Sequence, residues 1–351
     1  VPPNIRQRKQ EHVDLVTTRD VTFRHRTTGF DDVDLVYNAL PEIDMADVDT
    51  STTLFDRHLA LPLYASGMTG GYADAERINA ALAEVCATTG IGMGLGSMRA
   101  AVDDPNLAAT YRSVLPHRPP LLIGNIGAVQ LAMWHRAGTL REHLERLLDI
   151  VELDALAIHL NPLQELLQPE GEPVFSGVAA AIAAAAQQCP LPIIVKEVGA
   201  GISGNVAKRL IACGVAGIDV AGAGGTSWAG VEILRHPNPE LVEHLWDVGI
   251  PTADCLRECR LPCYEAGIPM LASGGIANGT HVAKAIALGA AACGVARPLL
   301  QAITEHGVEA GVALIQSWEL HLRQWMFLTG SATTAALSMA PTTSKDSRPH
   351  P

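Results

Sequence analysis

The chain has 351 residues, of which 48% are hydrophobic and only 4% aromatic. That length admits one large domain or two ordinary ones, and 32 glycines with few aromatics suit the close helix–strand packing of an α/β protein. A formal net charge of −12 excludes a general nucleic-acid surface and leaves an anionic substrate to a few local cations or a metal. No stretch is apolar for long enough to span a membrane and no apolar leader opens the sequence, so a cytoplasmic protein is expected.

Residues 1–59 read as an N-terminal arm and cap. They begin charged, with Arg6, Arg8, Lys9 and Glu11, then carry Phe30-Asp-Asp-Val-Asp-Leu and Ala39-Leu-Pro-Glu-Ile43. From residue 60 to 340 the pattern is a short apolar strand followed by an amphipathic helix. Strands are predicted over 61–66, 91–94, 121–124, 155–159, 192–196, 216–220, 269–272 and 292–296. Helical patterns such as 75–88, 140–150, 178–188, 205–213 and 281–288 lie between them. Fully apolar strands alternating with helices indicate a parallel sheet covered by helices, and eight such units close most simply into a (βα)8 TIM barrel. The polar, proline-rich stretch 341–351 is expected to be a disordered tail.

Seven cysteines, an odd number scattered along the chain, argue against a disulfide framework. Cys255, Cys259 and Cys263 have helical spacing, although Pro262 interrupts the pattern. A helix carrying reduced thiols is the expected reading; a metal or cluster site is the alternative, without a usual ligand spacing to support it.

Polar or glycine-rich sequence follows every predicted strand, at the end where barrel enzymes build their sites. Gly67-Met-Thr-Gly-Gly71 follows the first, Gly94-Leu-Gly-Ser-Met-Arg99 the second and Asn125-Ile-Gly127 the third. His159-Leu-Asn-Pro-Leu-Gln-Glu165 follows the fourth: an imidazole, amides and a carboxylate directly after an apolar strand. Such a group costs stability unless it is satisfied, and its chemistry suits a metal-bound anion such as a diphosphate. Lys196 ends the fifth strand, where a buried ammonium requires an anion, an electron-rich ring or a structural ion pair. The sixth strand leads into Ala221-Gly-Ala-Gly-Gly-Thr-Ser-Trp228. Ser273-Gly-Gly275 with Ile276 after the seventh, and Ala296-Arg297 after the eighth, form a candidate phosphate cradle of glycine N–H groups and a helix N-terminus. Thr69, Ser97, Asn125 and Thr226 are small donors at four strand ends, able together to ring a polar heterocycle such as isoalloxazine. Arg99 is a well-placed phosphate binder. Arg8, Lys9 and His12 contribute if the arm folds over the barrel mouth.

The motifs Arg8-Lys-Gln-Glu-His12, Met68-Thr-Gly-Gly71, Gly96-Ser-Met-Arg99, Asn125-Ile-Gly127 and His159-Leu-Asn-Pro-Leu-Gln-Glu165 occur in one order. Gln168-Pro-Glu-Gly171, Val195-Lys-Glu-Val-Gly199, Gly224-Gly-Thr-Ser-Trp228 with Glu232, Ala272-Ser-Gly-Gly275 and Ala296-Arg-Pro298 follow them. In this order and spacing the chain resembles the type II, FMN-dependent isopentenyl-diphosphate isomerases. The resemblance implies conversion of isopentenyl to dimethylallyl diphosphate with reduced FMN, Mg²⁺ and NAD(P)H as reductant, and no net redox change. It implies FMN on Gly67, Met68, Thr69, Ser97, Asn125, Lys196, Thr226, Gly274, Gly275, Ile276, Ala296 and Arg297. The prenyl diphosphate would lie on Arg8, Lys9, Ser97, Met98, Arg99, His159 and Gln164, with Glu165 on Mg²⁺. Gln164, Lys196 and His159 would stand at the chemistry. A homo-oligomer without nucleic-acid or membrane partners is expected. Met98, Glu172, Tyr37, Ala277 and His281 depart from the usual pattern and leave room for a related prenyl diphosphate. Two other classes stay open: an FMN oxidoreductase of the hydroxy-acid oxidase type, which needs a histidine and arginines gripping a carboxylate, and a non-catalytic flavin- or prenyl-diphosphate-binding protein.

Overall fold

A computed structural model describes residues 3–344. Eight parallel strands form a closed barrel in chain order: Leu63–Ala65, Gly92–Gly94, Leu122–Gly127, Ala155–Leu160, Ile193–Glu197, Gly217–Asp219, Met270–Ala272 and Ala292–Val295. The last pairs with the first, Cys293 opposite Leu63 and Val295 opposite Ala65, so no edge is left for another chain to pair with. The predicted strands all appear at the expected places, one or two residues shorter at several ends, while the third, fourth and fifth run on past their expected C-terminal ends.

The strands have no solvent face because both sides are packed. One set of side chains, including Tyr64, Leu121, Ile123, Ala157, Ile194, Leu271 and Ala292, fills the barrel interior. The alternating set, including Met93, Leu122, Ile158, Val195 and Ile218, packs under the helices. The period of two then determines which residues reach the mouth. Continuing the inward series along each strand gives Ser66, Asn125, His159, Lys196, Asp219 and Ser273. These are the polar strand ends from which the site is built.

The opposite end of the barrel is stoppered. Strands Thr52–Leu54 and Arg57–Leu59 form a hairpin whose Leu54 and Leu59, 2% and 0% exposed, belong to the interior cluster. Phe55 and Asp56 turn the chain with φ of 49° and 60°. Asp154, just before the fourth barrel strand, ties this end together: its carboxylate lies 2.7 Å from Arg57 and 3.1 Å from Arg118 and accepts the Leu122 N–H at 2.7 Å.

Helix Pro3–Thr18 packs against helices Trp228–Arg235 and Arg297–His306 at the mouth, and Thr22 bridges Thr226. The side chains of Arg8 and Lys9 lie outside the described residues. Val33–Leu35 pairs antiparallel with Thr342–Ser344. The expected tail therefore does not begin at 341: Thr342 and Thr343 have extended-chain propensity and a ready edge to join, and only 345–351 lie outside the described residues. Helix Thr252–Ala266 runs through Pro262, with Cys255, Cys259 and Cys263 all buried. Burial pushes the thiols of Cys259 and Cys263 up to about 12 and about 11, so they are packing groups at neutral pH. No group of three or more metal-ligating side chains, and no helix long and apolar enough to cross a membrane, occurs among the described residues.

Candidate active site

A cavity of about 560 Å³ opens at the C-terminal ends of the barrel strands. Every residue expected to hold the cofactor lines it, as do Arg99, His159, Gln164 and Glu165. Met98 is the exception. Its side chain is 0% exposed in the outer core, while its N–H bonds the Asn125 carbonyl at 2.8 Å. The expectation that Met98 lines a substrate site is corrected: the short turn after Gly96 carries Ser97 and Arg99 to the cavity and packs Met98 against the barrel wall.

Strands seven and eight build an anion cradle. Gly274 and Gly275 hold φ of 94° and 77°. A Cβ at Gly274 would stand 2.0 Å from the Gly222 carbonyl oxygen, and one at Gly275 2.4 Å from Thr28 Cγ2; only glycine lets these chains meet. Beside them begins the ten-residue helix Arg297–His306, whose first-turn N–H groups have no acceptor within the helix. Arg297 donates to the Arg19 carbonyl at 3.2 Å, and its buried Nε has no partner. Glycine backbone, a helix N-terminus and a guanidinium together suit a phosphate.

Lys196 enters the cavity from strand five, in register with His159 and Asp219 on its neighbours. Its Nζ donates to the Glu197 carbonyl at 2.6 Å, and no ion pair of Lys196 occurs among the described residues. The next carboxylate is turned elsewhere: Glu197 is buried on the outer face and accepts backbone N–H groups of Val198 and Gly199, each at 2.6 Å. Burial raises the Glu197 carboxyl although those donors oppose it. The structural ion pair considered for Lys196 is thus not formed among the described residues, and the side chain lines the cavity.

The opposite wall comes from strands three and four. Asn125 donates to the Leu95 carbonyl at 3.1 Å, which orients its oxygen toward His159 Nδ1 at 2.8 Å. An amide oxygen can only accept, so Nδ1 carries the hydrogen and the imidazole orientation is set. Asn161 acquires a role as well. Its amide donates to Gln164 Oε1 at 3.2 Å and to Glu165 Oε1 at 3.0 Å. Glu165 Oε2 accepts from Gln168 Nε2 and from the Glu172 N–H, both at 2.8 Å. The carboxylate is therefore held at the helix start Pro162–Leu167, with Oε2 taken up by two donors and one lone pair of Oε1 to spare. A single placed carboxylate suits Mg²⁺, which takes one or two protein oxygens and draws the rest from phosphate and water.

Glu232, without an assigned role in the sequence, belongs to the site, and His12 joins it from the arm. Glu232, 0% exposed, accepts from Gln164 Nε2 at 2.9 Å. His12 Nε2 lies 2.9 Å from the same oxygen, off the line of a hydrogen bond, and its ring meets Trp228 edge-on at 5.2 Å. The signal for Glu232 was a carboxylate amid Trp228-Ala-Gly-Val-Glu-Ile, on the buried face of its helix.

The donor set fits FMN. Ser66 Oγ and Gln130 Oε1 are buried polar atoms of the cavity wall without a protein partner, as expected where a polar heterocycle is to be bound. A model of the FMN-dependent dehydrogenase family matches residues 3–147 and 170–343. The isopentenyl-diphosphate delta-isomerase of Methanothermobacter thermautotrophicus is 42% identical over 338 residues, covering 96% of this chain and 93% of that protein. The chain belongs to the isopentenyl-diphosphate delta-isomerase family. Another relative, from Synechocystis sp., is 46% identical over 298 residues, 84% of this chain and 83% of its own. In shape this isomerase-family chain is similar to a mandelate oxidase (R163L, with 2-hydroxy-phenylacetamide), TM-score 0.66 at 19% identity, over 95% of this chain and 94% of that one. A lactate oxidase of Pediococcus acidilactici gives TM-score 0.66 at 15% identity, over 96% and 94%. Those likenesses show the shared barrel.

Proposed function

We propose that the protein converts isopentenyl diphosphate to dimethylallyl diphosphate with no net redox change, using reduced FMN, Mg²⁺, and NAD(P)H as the reductant. The observation that carries this reading is the wall built by strands three and four. There His159, Gln164 and Glu165 face a cradle of glycines and Arg297 on strands seven and eight, across one cavity. Two anion-holding poles suit two phosphate-bearing ligands at once. The stretch 148–169, which contains His159, Gln164 and Glu165, is also the part left unmatched by the dehydrogenase family model.

Gly274, Gly275, Ala296 and Arg297 would hold the flavin phosphate, and Gly67, Met68, Thr69, Ser97, Asn125, Thr226 and Ile276 its ring system. When bound, reduced FMN would supply acid–base chemistry for proton exchange with the substrate. Lys196 would offer its positive charge to the electron-rich ring. Arg99, Ser97 and His159, with Arg8 and Lys9 from the arm, would grip the diphosphate, and Glu165 would ligate the Mg²⁺ that relieves its charge. Gln164 is a neutral amide fixed by Glu232 and Asn161. It orients the substrate's reacting carbons and passes protons only through its hydrogen-bond partners. Apolar wall residues such as Val13, Val16 and Val129 exclude water from a cation-like transition state.

The test is an anaerobic assay of the purified protein, omitting one component at a time. Turnover of isopentenyl diphosphate is expected only with FMN, Mg²⁺ and reductant together. Equal turnover by flavin-free protein, or none under reducing conditions, overturns the reading. Oxidation of a 2-hydroxy acid instead would favour the oxidase class, whose barrel this chain shares.

A further inference from the structure

Arg235 ends the helix Trp228–Arg235. An arginine there normally faces water and complements the helix dipole. This one has a side chain only 8% exposed and is spent on three carboxylates from three parts of the chain. Its Nη1 donates to Glu232 Oε2 at 2.7 Å, its Nε to Glu11 Oε2 at 3.0 Å, and its Nη2 to Glu170 Oε1 at 3.2 Å. Glu11 lies on the N-terminal helix. Glu170 belongs to the turn after Gln168, whose amide holds Glu165. Glu232 holds Gln164 through its other oxygen. One guanidinium thus joins the N-terminal helix, the turn after Gln168 and the carboxylate that holds Gln164.

We propose that Arg235 is a positioning residue that latches the N-terminal helix and the Gln168–Gly171 turn to the Gln164–Glu232 pair, so that one side chain both seats the helix and sets Gln164. The fork geometry is what makes this possible. A guanidinium presents separate N–H groups in fixed directions and can serve three acceptors at once, whereas an ammonium is a single point charge. The charge balance points the same way. Three carboxylates meet one arginine, with His12 beside Glu232, so that cation offsets the mutual repulsion of Glu11, Glu170 and Glu232. The inference deepens the isomerase reading but has a readout that does not depend on turnover.

The experiment uses the full-length, FMN-loaded protein. In Arg235→Met, hydrogen exchange of the amides of residues 11–18 should accelerate about tenfold or more, while FMN still binds. In turnover of isopentenyl diphosphate, KM should rise and kcat fall, each by about tenfold, because both the helix and Gln164 lose their setting. Glu11→Gln removes only the helix arm of the latch and should raise exchange and KM with kcat within about twofold. Arg235→Lys should restore less than half of the lost protection, since it keeps the charge without the fork. Unchanged exchange in both Arg235→Met and Glu11→Gln overturns the latch, whatever the turnover. Loss of kcat without any change in exchange or KM also overturns it, leaving Arg235 as a partner of Glu232 alone. Should Arg235→Met not fold, the comparison rests on Glu11→Gln and Glu170→Gln. A normal latch in a protein that turns over no isopentenyl diphosphate would fault the isomerase reading instead.

Discussion

Gln164 Nε2 stands 2.9 Å from Glu232 Oε1, a neutral amide bonded to a carboxylate that is itself 0% exposed. The pair defines which end of the amide faces which way, since a carboxylate only accepts. Glu232→Gln weakens that definition and leaves Asn161 as the main hold on the Gln164 amide. The expected result is a fall in kcat of about tenfold to a hundredfold with FMN binding retained, because a charge-assisted hydrogen bond of about 1.5–3 kcal/mol is lost at the site. Steady-state kinetics beside a flavin titration checks it.

The same residue carries a pH dependence. Burial acts to raise the Glu232 carboxyl, but His12, Gln164 and Arg235 outweigh it and hold the group below its ordinary 4.5. A depressed folded value means stability that is present above the unfolded value and lost as the pH falls through the folded one. The stability difference between wild type and Glu232→Gln should therefore be level above about pH 5 and shrink as the pH drops below that range. Urea unfolding across pH 3–7 measures it, and a gap that widened in acid would contradict the assignment.

Glu165 is expected to act through the metal. Glu165→Gln should lose most activity and weaken the Mg²⁺ requirement, with the flavin spectrum unaltered. A variant that instead lost FMN while keeping its metal dependence would place Glu165 at the wrong ligand.

The cradle depends on absent side chains. Gly275→Ala introduces a methyl 2.4 Å from Thr28 Cγ2, at a φ of +77°. Left-handed backbone costs about 1–2 kcal/mol for an L-residue and the overlap about 1–3 kcal/mol more. FMN affinity should fall by about one to two orders of magnitude, read by fluorescence titration, with the far-ultraviolet circular dichroism preserved.

At the far end of the barrel, Asp154 is a stability residue. Asp154→Ala takes away the acceptor of Arg118 and the Leu122 N–H and the partner of Arg57. Arg57 and Arg118 are 48% and 28% exposed, so water can take over part of their solvation. A loss of about 2 kcal/mol is expected in urea unfolding, with kcat unaffected.

Most of the barrel was legible because its signals are local. A fully buried strand is an apolar run whatever surrounds it, and glycine or polar residues at eight strand ends mark one mouth. The same alternation that puts Ile123 and Ile194 inside delivers Asn125 and Lys196 to the cavity. What escaped depends on contacts between distant segments. Met98 sits between two cavity residues, and only the path of the turn decides that its side chain faces the core. The role of Asn161 follows from which amides lie near it, and that of Glu232 from a helix about seventy residues beyond Gln164. Thr342–Ser344 looked like tail because a polar three-residue strand has no signal apart from its partner Val33–Leu35.

The hairpin that plugs the barrel with Leu54 and Leu59 makes the catalytic chamber a vessel with one doorway. Among the described residues the floor is packed, so a ligand that enters at the strand ends should leave by the same end. A molecule resting near the N-terminal helix traps whatever lies beneath it. Flavin exchange should accordingly slow when diphosphate occupies the entrance, and a product that lingers there will compete with the next substrate for the same passage.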